Sequence, residues 1–399
     1  MDNLNTKAYD LAKLKEFRHW MHENAELSLQ EFNTHKKIKE FGLTLGVPED
    51  AWVLCTKTGW RVDIKGKGPA SGKPRVIACR SDHDGLPNTE QNPHLSYNSK
   101  TNAAHLCGHD GHTTCLLGGM ALLMDNLEKI PSDRTVRFMF QPAEEGFGGA
   151  GHMIKEGILE GVDEVYGCHN LPNSQTPYKI LVSDRECMAH MQILHITIHG
   201  KGGHGSSPEK CNNPIPIACR AYLEIVQKIT EYKNSKDGKI RFSLASFNGG
   251  SAFNVIPSSV LMKGSTRDFS KEDSKNMVDI IRQVLDKVTS ETDSKYDFDV
   301  ITSAEGAVIN HPEYAEHVRK SAIAHYGANM VSDEGLPIYA SEDFADFLFR
   351  KPGCFFFRVG KNLPAGATLH SDKYDFDDEV IDDLSKFWFR IIHDRLNAE

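Results

Sequence analysis

The chain has 399 residues, with 46 Lys+Arg against 55 Asp+Glu for a formal charge of −9, and 39% hydrophobic residues. At roughly 150 residues per domain that length predicts two or three domains with a substantial core and excludes a disulfide-stapled scaffold, and the composition is globular rather than that of a disordered or membrane chain. The acidic balance lacks the footprint of a nucleic-acid binder, and nine cysteines, an odd number without regular spacing, read as reduced thiols.

The first twenty residues alternate in charge without an apolar core, so no secretory signal is expected. No run of about 18 apolar residues offers a membrane span. The chain reads as cytoplasmic. A charged opening helix leads to PRVIACR (74–80), a strand that ends in the polar turn SDHDG. A helix is predicted from Thr113, closed by Pro131. TVRFMF (135–140) is a second strand ending in QPAEEGFGG, AGHMIKEGIL (150–159) is helical, and DEVYGCHN is a third strand ending at His169. Strands alternating with helices predict a mostly parallel sheet flanked by helices. Ligands of such sheets sit beyond the carboxyl ends of the strands, so the three polar clusters at those ends are expected to converge.

From about Met191 the order becomes strand, helix, strand, strand, helix, strand, the βαββαβ ferredoxin-like arrangement. The α/β pattern resumes near Glu305 and closes with CFFFRVG (354–360) and a last helix opened by Asp377, Asp378 and Glu379. The expected architecture is therefore a mixed, mostly parallel α/β catalytic domain in two segments, 1–188 and 305–399, with an inserted ferredoxin-like lid domain at 189–304.

The densest chemistry lies in HLCGHDGHTT, with His105, Cys107, His109, Asp110 and His112 inside eight positions. From a tight glycine-containing loop ahead of the helix, Cys107 and His109 can both reach inward, and thiolate and imidazole are preferred ligands of a borderline metal such as zinc. Asp110 or His112 suits an orienting role. Glu144 and Glu145 stand at a strand end, where one carboxylate can bind metal while the other serves as general base. A solvated acidic turn is the plain alternative, weakened by the apolar strand before the pair and the glycines after it. His169 and His370 are candidates to complete the shell with Cys107, His109 and Glu145. Five donors exceed one tetrahedral site, which points to two metals. Asp82 and Asp84 add carboxylates at the same rim. In the inserted domain, glycines around His204 allow close backbone approach to a ligand. Asn254 and Arg267 fit a polar clamp, Arg being able to grip a carboxylate. A Cys107 nucleophile would leave Glu144, Glu145, His169 and His370 without a task.

Taken together the chain resembles the M20 metallopeptidase family, in particular its amidohydrolase subgroup of hippurate hydrolases, N-acyl-amino-acid hydrolases (aminoacylases) and plant auxin-conjugate hydrolases. The likeness rests on RHWMHENAELSLQEF, RSDHDGLP, HLCGHDGHTT, QPAEEGFGGAGHMIKEG, GCHN, GKGGHGSSPE, NVIP, GSTRDF, SEDF, PGCFFFRVG and LHSDKYDF, in that order. The resemblance implies that Cys107, His109, Glu145, His169 and His370 bind two divalent metal ions, Mn2+ or Zn2+, that Glu144 is the general base and that Asp84 supports the site. It further implies that His204 stabilises the oxyanion, from the other subunit in dimeric relatives, and that Asn254 and Arg267 handle the substrate. Ser81, His83 and Gly85 replace the subgroup's usual Ala, Met and Ala, and Ala25 its usual Pro. His83, between two acidic residues, would alter pocket polarity or metal preference.

The reading is a metal-dependent amidohydrolase of N-acyl or N-aroyl amino acids, with a small-molecule substrate, no nucleic-acid or membrane partner, and a homodimer formed through the lid. The alternatives are a dipeptidase or deacetylase of the same fold, or an assembly subunit that keeps the site without using it.

Overall fold

The computed structural model describes residues 4–146, 148–172, 176–235, 239–361, 363 and 367–398. It opens with helices α1 (Leu11–Glu23) and α2 (Phe32–Thr44), followed by strands β1 (Trp52–Cys55), β2 (Gly59–Lys65) and β3 (Arg75–Asp82). Helix α3 (His109–Asp125) and strands β4 (Arg134–Gln141) and β5 (Glu164–Leu171) come next. The chain divides into two compact units. The first holds residues 1–187, 309–337 and 343–399, and the second residues 188–308 and 338–342.

The first unit is built on an eight-stranded mixed sheet. β3 lies inside it, parallel to β4 on one side and to β5 on the other, and β5 pairs in parallel with the strand Gly353–Val359. The hairpin of β1 and β2 extends the sheet antiparallel from β4. β3 and β4 are buried along most of their length, as expected of strands covered on both faces. The parallel register fixes what matters for chemistry: Asp82 stands opposite Gln141, Arg80 opposite Gly167, and Phe357 opposite His169. Segments far apart in sequence therefore end at one rim of the sheet. α3 and the closing helix Val380–Leu396 pack into the same core, where Met120, Leu123, Leu384, Trp388 and Ile391 are buried.

In the second unit the strands His190–His199, Arg241–Asn248, Ser259–Asp268 and Lys295–Thr302 form an antiparallel sheet, with helices Pro214–Asn234 and Lys271–Glu291. The order along the chain is βαββαβ, with the first and third strands innermost. Period-two burial on the first strand turns Leu194, Ile196 and Ile198 inward onto Ile217, Ile225, Ile281 and Leu285 of the helices. Among the described residues no helix is long and apolar enough to cross a membrane.

Three local expectations change. α3 begins at His109 rather than Thr113, because Gly108, at φ 90°, takes the left-handed cap position that starts the helix. A Cβ on residue 108 would stand 2.5 Å from Asn170 Oδ1 and 2.6 Å from the Tyr374 hydroxyl. β5 continues past His169 to Leu171. The closing helix starts at Val380 with Asp382 and Asp383 in its first turn, while Asp378 leaves the dipole to bind Arg18 Nε at 2.8 Å and His19 Nε2 at 2.7 Å.

Candidate metal centre

Five of the sequence-derived donors meet at the rim of the first unit. Cys107 Sγ lies 3.4 Å from His169 Nε2 and 3.2 Å from His370 Nε2. Glu145 Oε1 is 3.2 Å from His370 Nε2 and 3.8 Å from His109 Nε2. Glu144 Oε2 is 3.9 Å from that same His109 nitrogen. Ligand atoms of Cys107, His109 and His169 gather within 4.8 Å of one another, as do those of Cys107, Glu145 and His370, and of His109, Glu144 and Glu145.

The outer nitrogens of the histidines show how each ring is oriented. His169 Nδ1 donates to the Asn170 carbonyl at 2.6 Å, which leaves Nε2 aimed at the thiol. His109 Nδ1 bonds Asp84 Oδ1 at 3.2 Å, and its buried Nε2 has no hydrogen-bond partner among the described residues. Imidazoles fixed through one nitrogen with the other facing a cluster of anionic donors are the arrangement of metal-binding histidines. The electrostatics agree. Burial, then Glu145 and Glu144, push the Cys107 thiol well above its ordinary value. Burial opposes the charging of His109, yet Asp82, Asp84 and Glu145 outweigh it and push the ring up to about 10. Asp82, Asp84, Glu144 and Glu145 crowd the buried His109, a surplus of negative charge that a divalent cation would neutralise. The donor set fits such ions.

Asp84 ties the site together. Beside His109 it accepts the N–H groups of Glu144 and Glu145, each at 3.1 Å, and the Ser28 hydroxyl at 2.6 Å. Asp82 Oδ2 lies 3.9 Å from His109 Nε2 and 2.6 Å from Arg80, and its Oδ1 lies 2.7 Å from His112 Nδ1. Burial of Asp82 works against ionisation, but His109, Arg80 and His112 hold it well below the usual carboxylate range. The Asn170 N–H donates to His112 Nε2 at 2.9 Å, so His112 orients Asp82. Asp110 bonds His22 Nδ1 at 2.8 Å and Arg18 at 3.4 Å. His83 joins none of this. Its side chain turns to the Thr58 carbonyl at 3.0 Å, and burial pulls the ring down to about 3, so it stays neutral.

Local backbone geometry directs the acidic pair and His370. Ala143, immediately before Glu144, has φ 57°, and His370 has φ 66°. For residues with a Cβ this left-handed region costs about 1–2 kcal/mol, so it persists only where surrounding bonds hold it. The His370 N–H donates to the Leu106 carbonyl at 2.8 Å, and Gly149 N–H to the Ala143 carbonyl at 3.0 Å. Gly149 is obligatory there, since a Cβ would lie 1.7 Å from the Pro142 carbonyl oxygen. Glu31 closes the loop from below: Oε1 accepts the Ala143 N–H at 2.9 Å, and Oε2 the Thr58 hydroxyl at 2.7 Å. Nothing in SLQEF singles out Glu31, since an acidic residue just ahead of a helix looks like an ordinary helix start.

The remaining candidates lie in the second unit. The short strands Gly203–His204 and Val255–Ile256 pair, and the Gly205 N–H donates to the Asn254 carbonyl at 2.8 Å. His204 Nδ1 is 2.7 Å from Ser206 Oγ, with its side chain exposed. Arg267 bonds Ser341 Oγ at 3.3 Å. It is half-buried, makes no ion pair among the described residues, and is lowered by burial alone.

Comparison with known proteins gives a consistent picture. Residues 78–394 match the model of peptidase family M20/M25/M40. Thermostable carboxypeptidase 1 of Saccharolobus solfataricus is 32% identical over 92% of this chain and 91% of its own length. Hippurate hydrolase of Campylobacter jejuni is 31% identical over 98% of both chains, and N-acetylcysteine deacetylase of Bacillus subtilis is 32% identical over 94% and 95%. Among solved structures, a dinuclear metal-binding M20 peptidase of Bacillus subtilis superposes with a TM-score of 0.78 at 27% identity, covering 98% of this chain and 99% of its own. The chain belongs to peptidase family M20, a family of metal-dependent amidohydrolases.

Proposed function

We propose that the protein hydrolyses the amide bond of N-acyl or N-aroyl amino acids, releasing a carboxylic acid and a free amino acid. The observation that carries this reading is the convergence of Cys107, His109, Glu145, His169 and His370 beside a separate carboxylate, Glu144. Five donors suit two divalent ions, Mn2+ or Zn2+, rather than one tetrahedral ion. Such ions, when bound, polarise the amide carbonyl and make water more acidic. Glu144 takes the proton of the attacking water and returns it to the leaving amine nitrogen. Asp84 keeps this base and the His109 ring in register, because one carboxylate holds the backbone of the first and the side chain of the second. We assign Arg267, which has no carboxylate partner among the described residues, to the amino acid's carboxylate. Asn254 is assigned to the substrate and His204 to the oxyanion. A Cys107 nucleophile is disfavoured, since burial and the neighbouring Glu145 and Glu144 keep the thiol protonated without a cation.

Hippurate hydrolase and N-acetylcysteine deacetylase, two of the relatives, are named for N-acylated amino acids, which supports this substrate class. The carboxypeptidase relative favours a second reading, a peptidase acting at a free carboxyl end. The two separate by assay. With added Mn2+ or Zn2+, hippurate and N-acetyl amino acids should be cleaved faster than dipeptides, and a chelator should abolish turnover. Preference for dipeptides would establish the second reading, and turnover unaffected by a chelator would defeat both. The proposed dimer uses the lid's edge strands, Arg241–Asn248 or Lys295–Thr302, each of which leaves one side of its backbone unpaired within the sheet.

A further inference from the structure

The left-handed conformation of Ala143 decides where the next two side chains go, because φ and ψ at one residue set the direction of the chain that follows. Two bonds hold that conformation on opposite sides of the residue, the Gly149 N–H on its carbonyl and the Glu31 carboxylate on its own N–H. Glu31 is fully buried. It makes no ion pair among the described residues, and its two oxygens are taken by the Ala143 N–H and the Thr58 hydroxyl. Burial, reinforced by Asp84, pushes its carboxyl up to about 7. A carboxyl group kept in the interior without a counter-charge is costly to the fold, so packing alone is a poor account of it. Its geometric effect falls on one peptide, the one that carries the acidic pair.

We propose that Glu31 is a positioning residue of the hydrolytic site: by accepting the Ala143 N–H it holds the left-handed turn that points Glu144 and Glu145 at the donor cluster. This rests on the roles given above to Glu144 and Glu145. Asp84 then secures the same turn one peptide further on, through the N–H groups of Glu144 and Glu145. The two carboxylates divide the work, Glu31 setting the entry to the turn and Asp84 its exit and the His109 ring. Glycine at position 143 would take the left-handed region without a Cβ penalty, and so would need Glu31 less.

Four variants test this: Glu31→Ala, Glu31→Gln, Ala143→Gly, and Glu31→Ala combined with Ala143→Gly. The readouts are kcat and KM for hippurate, Mn2+ dissociation by equilibrium dialysis, and cooperativity of thermal unfolding. Glu31→Ala should lower kcat and weaken Mn2+ binding by roughly 10–100-fold each, the range for residues that orient ligands, while KM changes by less than about twofold because the substrate's remote contacts are untouched. Glu31→Gln keeps an acceptor for Ala143 and a partner for Thr58, so it should stay within about threefold of the parent. Ala143→Gly should recover most of what Glu31→Ala loses. A folded Glu31→Ala protein with parental kcat and Mn2+ affinity overturns the proposal, as does a Glu31→Gln protein that loses as much as Glu31→Ala, or a double variant with no recovery. If Glu31→Ala does not unfold cooperatively, Glu31→Gln decides, and a tenfold loss in that folded variant counts against the proposal. The Mn2+ arm is independent of substrate: should hippurate prove inert while Mn2+ affinity follows the expected order, the substrate assignment fails and the positioning role stands.

Discussion

Glu144 and Glu145 are adjacent in sequence and differ in surroundings. Glu145 Oε1 lies 3.8 Å from His109 Nε2 and 3.2 Å from His370 Nε2, and Glu144 Oε2 lies 3.9 Å from His109 Nε2. Adjacent side chains leave the backbone in different directions, so one carboxylate can be a ligand while its neighbour carries a proton. On the proposed mechanism Glu144→Gln should keep its metal and lose about 10²–10⁴-fold in kcat; an isosteric amide cannot take a proton from water. Full turnover in that variant would remove Glu144 from the mechanism. For Cys107→Ala the expected loss is of metal itself, read as the metal-to-protein ratio by elemental analysis, since the thiol is within 3.4 Å of two imidazoles that share the cluster. An unchanged ratio would show that the thiol is not a ligand.

At the scale of elements, the first turn of α3 does two jobs. His109 enters the donor cluster, and Asp110, the next residue, turns to α1. There His22 bonds Asp110 at 2.8 Å and Glu90 at 3.2 Å, and Arg18 bonds Asp110, Asp375 and Asp378. Burial disfavours a charged His22, but Asp110 and Glu90 outweigh it and push the ring up to about 9 from 6.5. A folded-state value above the unfolded one means that protonated His22 stabilises the fold in full below about pH 6.5, and that this contribution falls away as pH rises through 9. In urea titrations the stability difference between the parent and His22→Gln should therefore shrink between pH 6.5 and 9. A difference that is flat over that range would show that His22 is neutral in the folded protein. The same turn explains why the helix start was misplaced by four residues. Apolar periodicity begins only after Thr114, whereas the backbone begins its helix at the left-handed Gly108.

On the scale of the whole molecule, each of the two units has its own core. The second packs Leu194, Ile196, Ile198, Ile225, Ile281 and Leu285 among themselves, while the donor cluster belongs entirely to the first. Damage to the second core should therefore leave the metal site intact. Ile281→Ala, at a fully buried position, should cost about 2–5 kcal/mol and appear in thermal unfolding. At temperatures where the variant remains folded its metal-to-protein ratio should match the parent's, and a lower ratio would mean that the two units do not hold their structure independently.

The α/β class with its βαββαβ partner was legible in the sequence, and so were the residue types able to donate to a cation. Each rests on a local signal: apolar runs that end in polar turns, period-two alternation, and rare residue types packed into short stretches such as HLCGHDGHTT. The hairpin of β1 and β2 was missed because its burial is irregular, two exposed residues standing in the middle of β1. Which groups Glu31, Asp82 and His112 engage was also out of reach. Their partners lie 112, 30 and 58 positions away in the chain, and a carboxylate or imidazole looks the same in a sequence whether it faces water or a strained peptide. Residue chemistry alone named who was able to bind. The parallel register of β3, β4 and β5 and the left-handed turns at Gly108 and Ala143 decided which of them meet, because direction in space is set by backbone geometry and long-range pairing.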